Sequence, residues 1–201
     1  MKGKVLVSGL MVLLTLPLFS CGGGSGGGGG GSATYDTVIL TAALAVGSPF
    51  DSDVAKHTDA TLGNCGVLGL DTVTVSPDNP NFTITSTAIA GLPAGVVSSN
   101  VRLDSVTLKY TSATLPASPA IPNQNYALSN IIVPGASATV PIRIASQAMK
   151  SSLPLSDLVC GIVAGPYSYY VTVTFEGVEI LTGQARSFTT TFTINFVDFI
   201  D

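Results

Sequence analysis

From Ser187 to Val197, apolar and polar residues alternate: Phe188, Phe192, Ile194 and Phe196 interleave with Ser187, Thr189, Thr191, Thr193 and Asn195. A period of two places the aromatic rings on one face of a strand and the hydroxyls on the other. Tyr169, Val171, Val173 and Phe175 alternate likewise with Tyr170, Thr172, Thr174 and Glu176. Gly177 marks the expected end of that strand, and a short further strand is expected around Val178 to Leu181. The two long segments are expected to be antiparallel neighbours.

Earlier segments repeat the pattern less regularly. Thr37 to Val46 reads as an opening strand, buried on both sides for part of its length. Leu70 to Ser76 and Phe82 to Ala90 read as strands on either side of Pro77-Asp78-Asn79-Pro80, whose residue types favour a turn. In Val101 to Thr111, Val101 and Leu103 share one phase while Val106, Leu108 and Tyr110 share the other. One extra residue near Asp104-Ser105 reconciles them, which predicts a β-bulge. Val140, Ile142 and Ile144 form a short inward stripe, and the intervening Pro141 suits an edge strand. Ser146 to Leu153 is the one helix candidate, stopped by Pro154.

Seven to nine short strands and a single short helix predict an all-β chain. The general pattern resembles antiparallel Greek-key β-sandwiches of the immunoglobulin-like or fibronectin-like kind, with a jelly roll as the alternative. Tryptophan is absent and Cys65 and Cys160 stand 95 positions apart, so the antibody-type Cys–Trp–Cys core is not matched.

The amino terminus carries a different signal. Lys2 and Lys4 precede an apolar run from Val5 to Phe19, then small Ser20 and Cys21. That is the layout of a secretory leader, and the run is shorter than the roughly 20 residues a membrane span needs. Leu18, Ser20 and Cys21 resemble the lipobox of bacterial lipoproteins, although Phe19 is bulkier than usual there. The resemblance implies cleavage before Cys21 and lipidation of its thiol. Gly22 follows, where enterobacterial inner-membrane retention uses aspartate, so the resemblance implies the outer membrane, facing the periplasm or the surface. Gly22 to Gly31 holds nine glycines and one serine, a flexible spacer with a reach of about 18 Å. The expected organisation is a leader at 1–20, a lipidated linker at 21–32 and one domain at 33–201.

Removing Lys2 and Lys4 with the leader leaves six basic residues against twelve acidic ones, a formal charge of −6. A sparse acidic surface argues against nucleic-acid binding, which needs clustered Lys and Arg. In an oxidising envelope Cys65 and Cys160 most simply form a disulfide, with free thiols or a redox pair as the alternatives.

Candidate chemistry is thin. His57 is the only histidine; with no G-x-S-x-G elbow to supply a nucleophile, it reads as a surface residue in a polar loop. One imidazole and two paired cysteines make a poor zinc shell. Asp51, Asp53 and Asp59 form a weak calcium candidate that lacks EF-hand spacing. Glu176 and Glu179 flank a hairpin end and read as solvated rather than as a glycosidase pair. Tyr167 and Tyr170 are the candidate ligand-binding aromatics, since exposed rings stack on sugars or anchor partners. No cofactor is expected. The functional expectation is a lipid-anchored, noncatalytic binding or structural module of the cell envelope, with envelope proteins or polysaccharide as partners. The alternatives are an assembly or filament component in which strands such as Ser187 to Val197 join a partner's sheet, and, behind it, an extracytoplasmic hydrolase using Asp51, Asp53, His57 or Glu176.

Overall fold

A computed structural model describes residues 31–59, 65–161 and 165–199; the leader, Cys21 and nearly all of the glycine linker lie outside them. The chain is mostly β, arranged as two sheets. The smaller contains β1 (Ser32–Thr34), β2 (Val38–Leu44), β4 (Asn81–Ala88) and β8 (Ser137–Pro141), in the order β1-β2-β4-β8. The larger contains β3 (Phe50–Asp53), β10 (Ala185–Val197), β9 (Tyr167–Glu179), β5 (Val101–Ser112) and β6 (Gln124–Ala127), in the order β3-β10-β9-β5-β6; β7 (Ile131–Ile132) also pairs with β5.

The alternating segments form the spine. β9 and β10 pair antiparallel from Val178↔Ala185 to Tyr167↔Phe196. Their inward rings meet the smaller sheet: Phe82 on β4 lies edge-on to Phe175 and Phe192, with ring centroids 5.9 and 6.0 Å apart. Phe175 stacks on Phe188 at 5.1 Å, and Tyr169 packs edge-on against Tyr110 and Phe196. One contiguous core therefore draws on both sheets. The register of β5 against β9 shifts between Leu103 and Ser105, which is the expected bulge. β8 ends at Pro141 on the edge of the smaller sheet. The short helix α1 (Gln147–Lys150) is capped by Ser146, whose hydroxyl accepts from the Met149 amide at 3.1 Å.

Three expectations change. β3 runs parallel to β10, so the larger sheet is not wholly antiparallel. β9 passes straight through Gly177 to Glu179 rather than stopping. Gly177 is needed inside the strand because a Cβ there would lie 2.8 Å from the Arg102 carbonyl oxygen and 3.1 Å from the Tyr35 hydroxyl. Leu70 to Ser76 is not a strand: Leu70 is exposed, Val73 and Val75 are only half-buried, and a single bridge joins Thr74 to Lys56. With no buried face to fill, its alternation decides nothing. Within Ser187 to Val197, Ile194 to Phe196 pairs with both β9 and β3, whereas Ser187 to Thr193 has β9 as its strand partner among the described residues.

Candidate functional site

The residues richest in chemistry converge at one end of the larger sheet. After β3, Val54 and Ala55 are buried, and the Val54 amide donates to the Val197 carbonyl at 2.8 Å. The chain is thereby held beside the end of β10, and His57 turns inward. Its Nδ1 lies 2.8 Å from Asp71 Oδ2, and its Nε2 lies 3.1 Å from Asp198 Oδ1. Neither the His57 nor the Asp71 side chain retains accessible surface, and Asp198 retains 4%. His57 is thus a buried hub rather than a surface histidine. The sequence concealed this because both acids are remote from it, by 14 and 141 positions.

The disulfide Cys65–Cys160 forms and closes the same hub. Cys65 Sγ lies 3.5 Å from Nδ1 and 3.9 Å from Nε2 of His57. The carboxylates also organise the flanking backbone: Asp71 accepts from the amides of Gly66 (2.9 Å), Thr58 (2.9 Å) and Asp59 (3.3 Å), and Asp198 accepts from the Cys160 amide at 2.6 Å. Cys160 itself has φ +63°, a left-handed conformation that costs a non-glycine residue roughly 1 kcal/mol or more. Burial disfavours the imidazolium, but the hydrogen bonds to Asp71 and Asp198 outweigh it and hold the His57 pKa above its usual 6.5. The Gly66 amide and then the His57 ring hold the Asp71 carboxyl well below the ordinary carboxylate range.

The other predicted site residues scatter. Asp51 accepts from Asn195 Nδ2 at 2.8 Å, and Asp53 accepts from the Phe199 amide at 3.2 Å. Asp59 meets Asp71 through its amide. Among the described residues the ligand atoms of His57, Cys65 and Cys160 lie within 4.8 Å of one another, whereas the three aspartates form no such group. Glu176 is exposed and accepts from the Ser105 hydroxyl at 2.7 Å. Glu179 is fully buried rather than solvated, accepting from the Asp36 amide (3.1 Å), the Thr37 amide (3.2 Å) and hydroxyl, and the Thr182 hydroxyl (2.8 Å). The two glutamates differ by an odd number of positions, so the pleat puts them on opposite faces. Tyr170 is 54% exposed, whereas Tyr167 shares the inward phase of Tyr169 and packs against the core. Rings on opposite faces of one strand cannot form one aromatic platform.

A second feature was not foreseen. A groove of ≈ 790 Å³ runs between β6 and the end of β8, lined by Asn79, Val106, Asn125 to Leu128 and Pro141 to Arg143. Arg143 lies over the Tyr126 ring, 5.8 Å from its centroid, and the buried Tyr126 hydroxyl has no hydrogen-bond partner among the described residues. Burial pushes the Tyr126 pKa up, with Arg143 opposing. Tyr126 belongs to the larger sheet and Arg143 follows β8 of the smaller, so no local motif announces the site. A scan against protein-family models, a search of curated proteins and a search of solved structures each found no match.

Proposed function

We propose that this chain is a bacterial lipoprotein of the cell envelope, anchored through lipid on Cys21 at the outer membrane, whose domain is a noncatalytic binding module. The anchor rests on Leu18, Ser20, Cys21 and the glycine run. We further read the two sheets as an immunoglobulin-like Greek-key sandwich, a reading supported by the core shared between them.

The groove beside Tyr126 carries the binding role. Its volume falls in the range of roughly 300–1,000 Å³ typical of ligand sites. It combines an apolar wall with the Arg143 guanidinium, a donor fork suited to carboxylates. Acidic envelope polysaccharide or an acidic segment of an envelope protein fits that chemistry. Two experiments test the reading. Cys21→Ala should move the protein from the membrane to the soluble fraction. Arg143→Ala in the anchored protein should lower retention of envelope polysaccharide or protein at least several-fold while leaving the fold intact. Firm membrane attachment without Cys21, or unchanged retention without Arg143, refutes the corresponding half.

A further inference from the structure

The chain's one histidine, its disulfide and two buried carboxylates lie together, although binding at the groove does not require them. We propose that reduction of Cys65–Cys160 turns this cluster into a site for a thiophilic divalent cation of the zinc class, held by Cys65 Sγ, Cys160 Sγ, His57 Nε2 and Asp198.

Geometry supports the assignment. The ligand atoms of His57, Cys65 and Cys160 already lie within 4.8 Å of one another. Zinc bonds of ~2.0–2.3 Å in a tetrahedron set neighbouring nitrogen, oxygen and sulfur ligands roughly 3.3–3.8 Å apart. The observed 3.9 Å from Nε2 to Cys65 Sγ and 3.1 Å from Nε2 to Asp198 Oδ1 are near those separations, and Asp198, outside the three-residue group, completes the shell by closing on the sulfurs. A cation would sit between Nε2 and Asp198 Oδ1, which now lie 3.1 Å apart. Asp71 would stay on Nδ1, 2.8 Å away, as the carboxylate that orients a ligating imidazole.

Charge points the same way. In the disulfide state the His57 ring sits between two carboxylates. After reduction, two thiols join them, and a bound dication offsets the charge of the thiolates that form on it. The disulfide takes two electrons and two protons from a dithiol reductant, which is itself oxidised to a disulfide. The metal then displaces the two thiol protons, so binding tightens as pH rises.

The test uses the full chain carrying Cys21→Ser, which removes the third thiol, reduced by a phosphine and titrated anaerobically with Co²⁺. Thiolate-to-cobalt charge transfer and tetrahedral visible bands should grow to one equivalent, and the oxidised chain should show neither. His57→Gln and Asp198→Asn should each weaken binding at least tenfold, and Asp71→Asn by about 10-fold or more. Near-ultraviolet circular dichroism follows the fold alongside. If reduction loosens the chain and one equivalent of cobalt restores it, the site holds. Overturning results are the absence of tetrahedral bands, equal bands in the oxidised chain, or affinity indifferent to His57→Gln, which would mean two thiols captured the metal without the assembled site.

Discussion

His57 Nδ1 lies 2.8 Å from Asp71 Oδ2, and the same carboxylate oxygen accepts from the Gly66 amide at 2.9 Å. One carboxylate therefore ties the loop that follows β3 to the loop that carries Cys65. Asp198 repeats the arrangement between Nε2 and the Cys160 amide.

Stability should follow the charge of this hub. A histidine pKa raised on folding stabilises fully below the unfolded value of about 6.5, and that contribution fades as pH climbs through the folded value. Asp71, held low, contributes above its unfolded value of about 3.9 and loses that contribution in acid. Thermal midpoints should therefore form a plateau between about pH 4 and 6.5 and fall on both sides. His57→Gln should flatten the alkaline fall. A wild-type midpoint that holds or rises from neutral to alkaline pH contradicts this account.

Phe82 is the ring through which the sheets meet, fully buried against Phe175 and Phe192. Phe82→Ala should cost about 3–5 kcal/mol in urea unfolding, because the flanking strands cannot collapse into the space. A loss below about 1 kcal/mol would show that the sheets pack elsewhere.

Gly177→Ala should destabilise by about 1–3 kcal/mol, since its methyl group meets the Arg102 backbone rather than a side chain that can swing away. Gly183, in a turn with open space around it but φ +71°, offers the comparison: Gly183→Ala should be strained by its backbone alone, about 1 kcal/mol.

Lys150 is 1% exposed, and its Nζ donates to Asp78 Oδ1 at 2.9 Å and to the Asp53 carbonyl at 2.6 Å. Lys150→Ala leaves Asp78 without its cation and should cost about 3–5 kcal/mol. Replacing both partners with apolar residues should recover much of that loss, and chemical denaturation of the two variants measures the difference. A double variant as unstable as the single one would show that the pair itself contributes the stability.

What was readable beforehand was whatever local periodicity records. The alternation in Tyr169 to Phe175 and Ser187 to Phe196 announced β9 and β10, the phase change at Asp104-Ser105 announced the bulge, and Ser146 to Leu153 ahead of Pro154 announced the short helix, which forms over Gln147–Lys150. Two cysteines without other partners announced their bond. The pairing of distant positions carries no such record. His57, Asp71 and Asp198 look like three ordinary polar residues until β3 docks parallel to β10 and the loops close over them. Glu179 looks solvated until the turn before β2 presents amides to it, and Arg143 meets Tyr126 only across the gap between sheets. Side-chain phase is a property of neighbours in the chain and survives in the sequence alone. Whether a polar group is buried, and what satisfies it there, depends on residues that only the folded backbone brings within hydrogen-bonding distance.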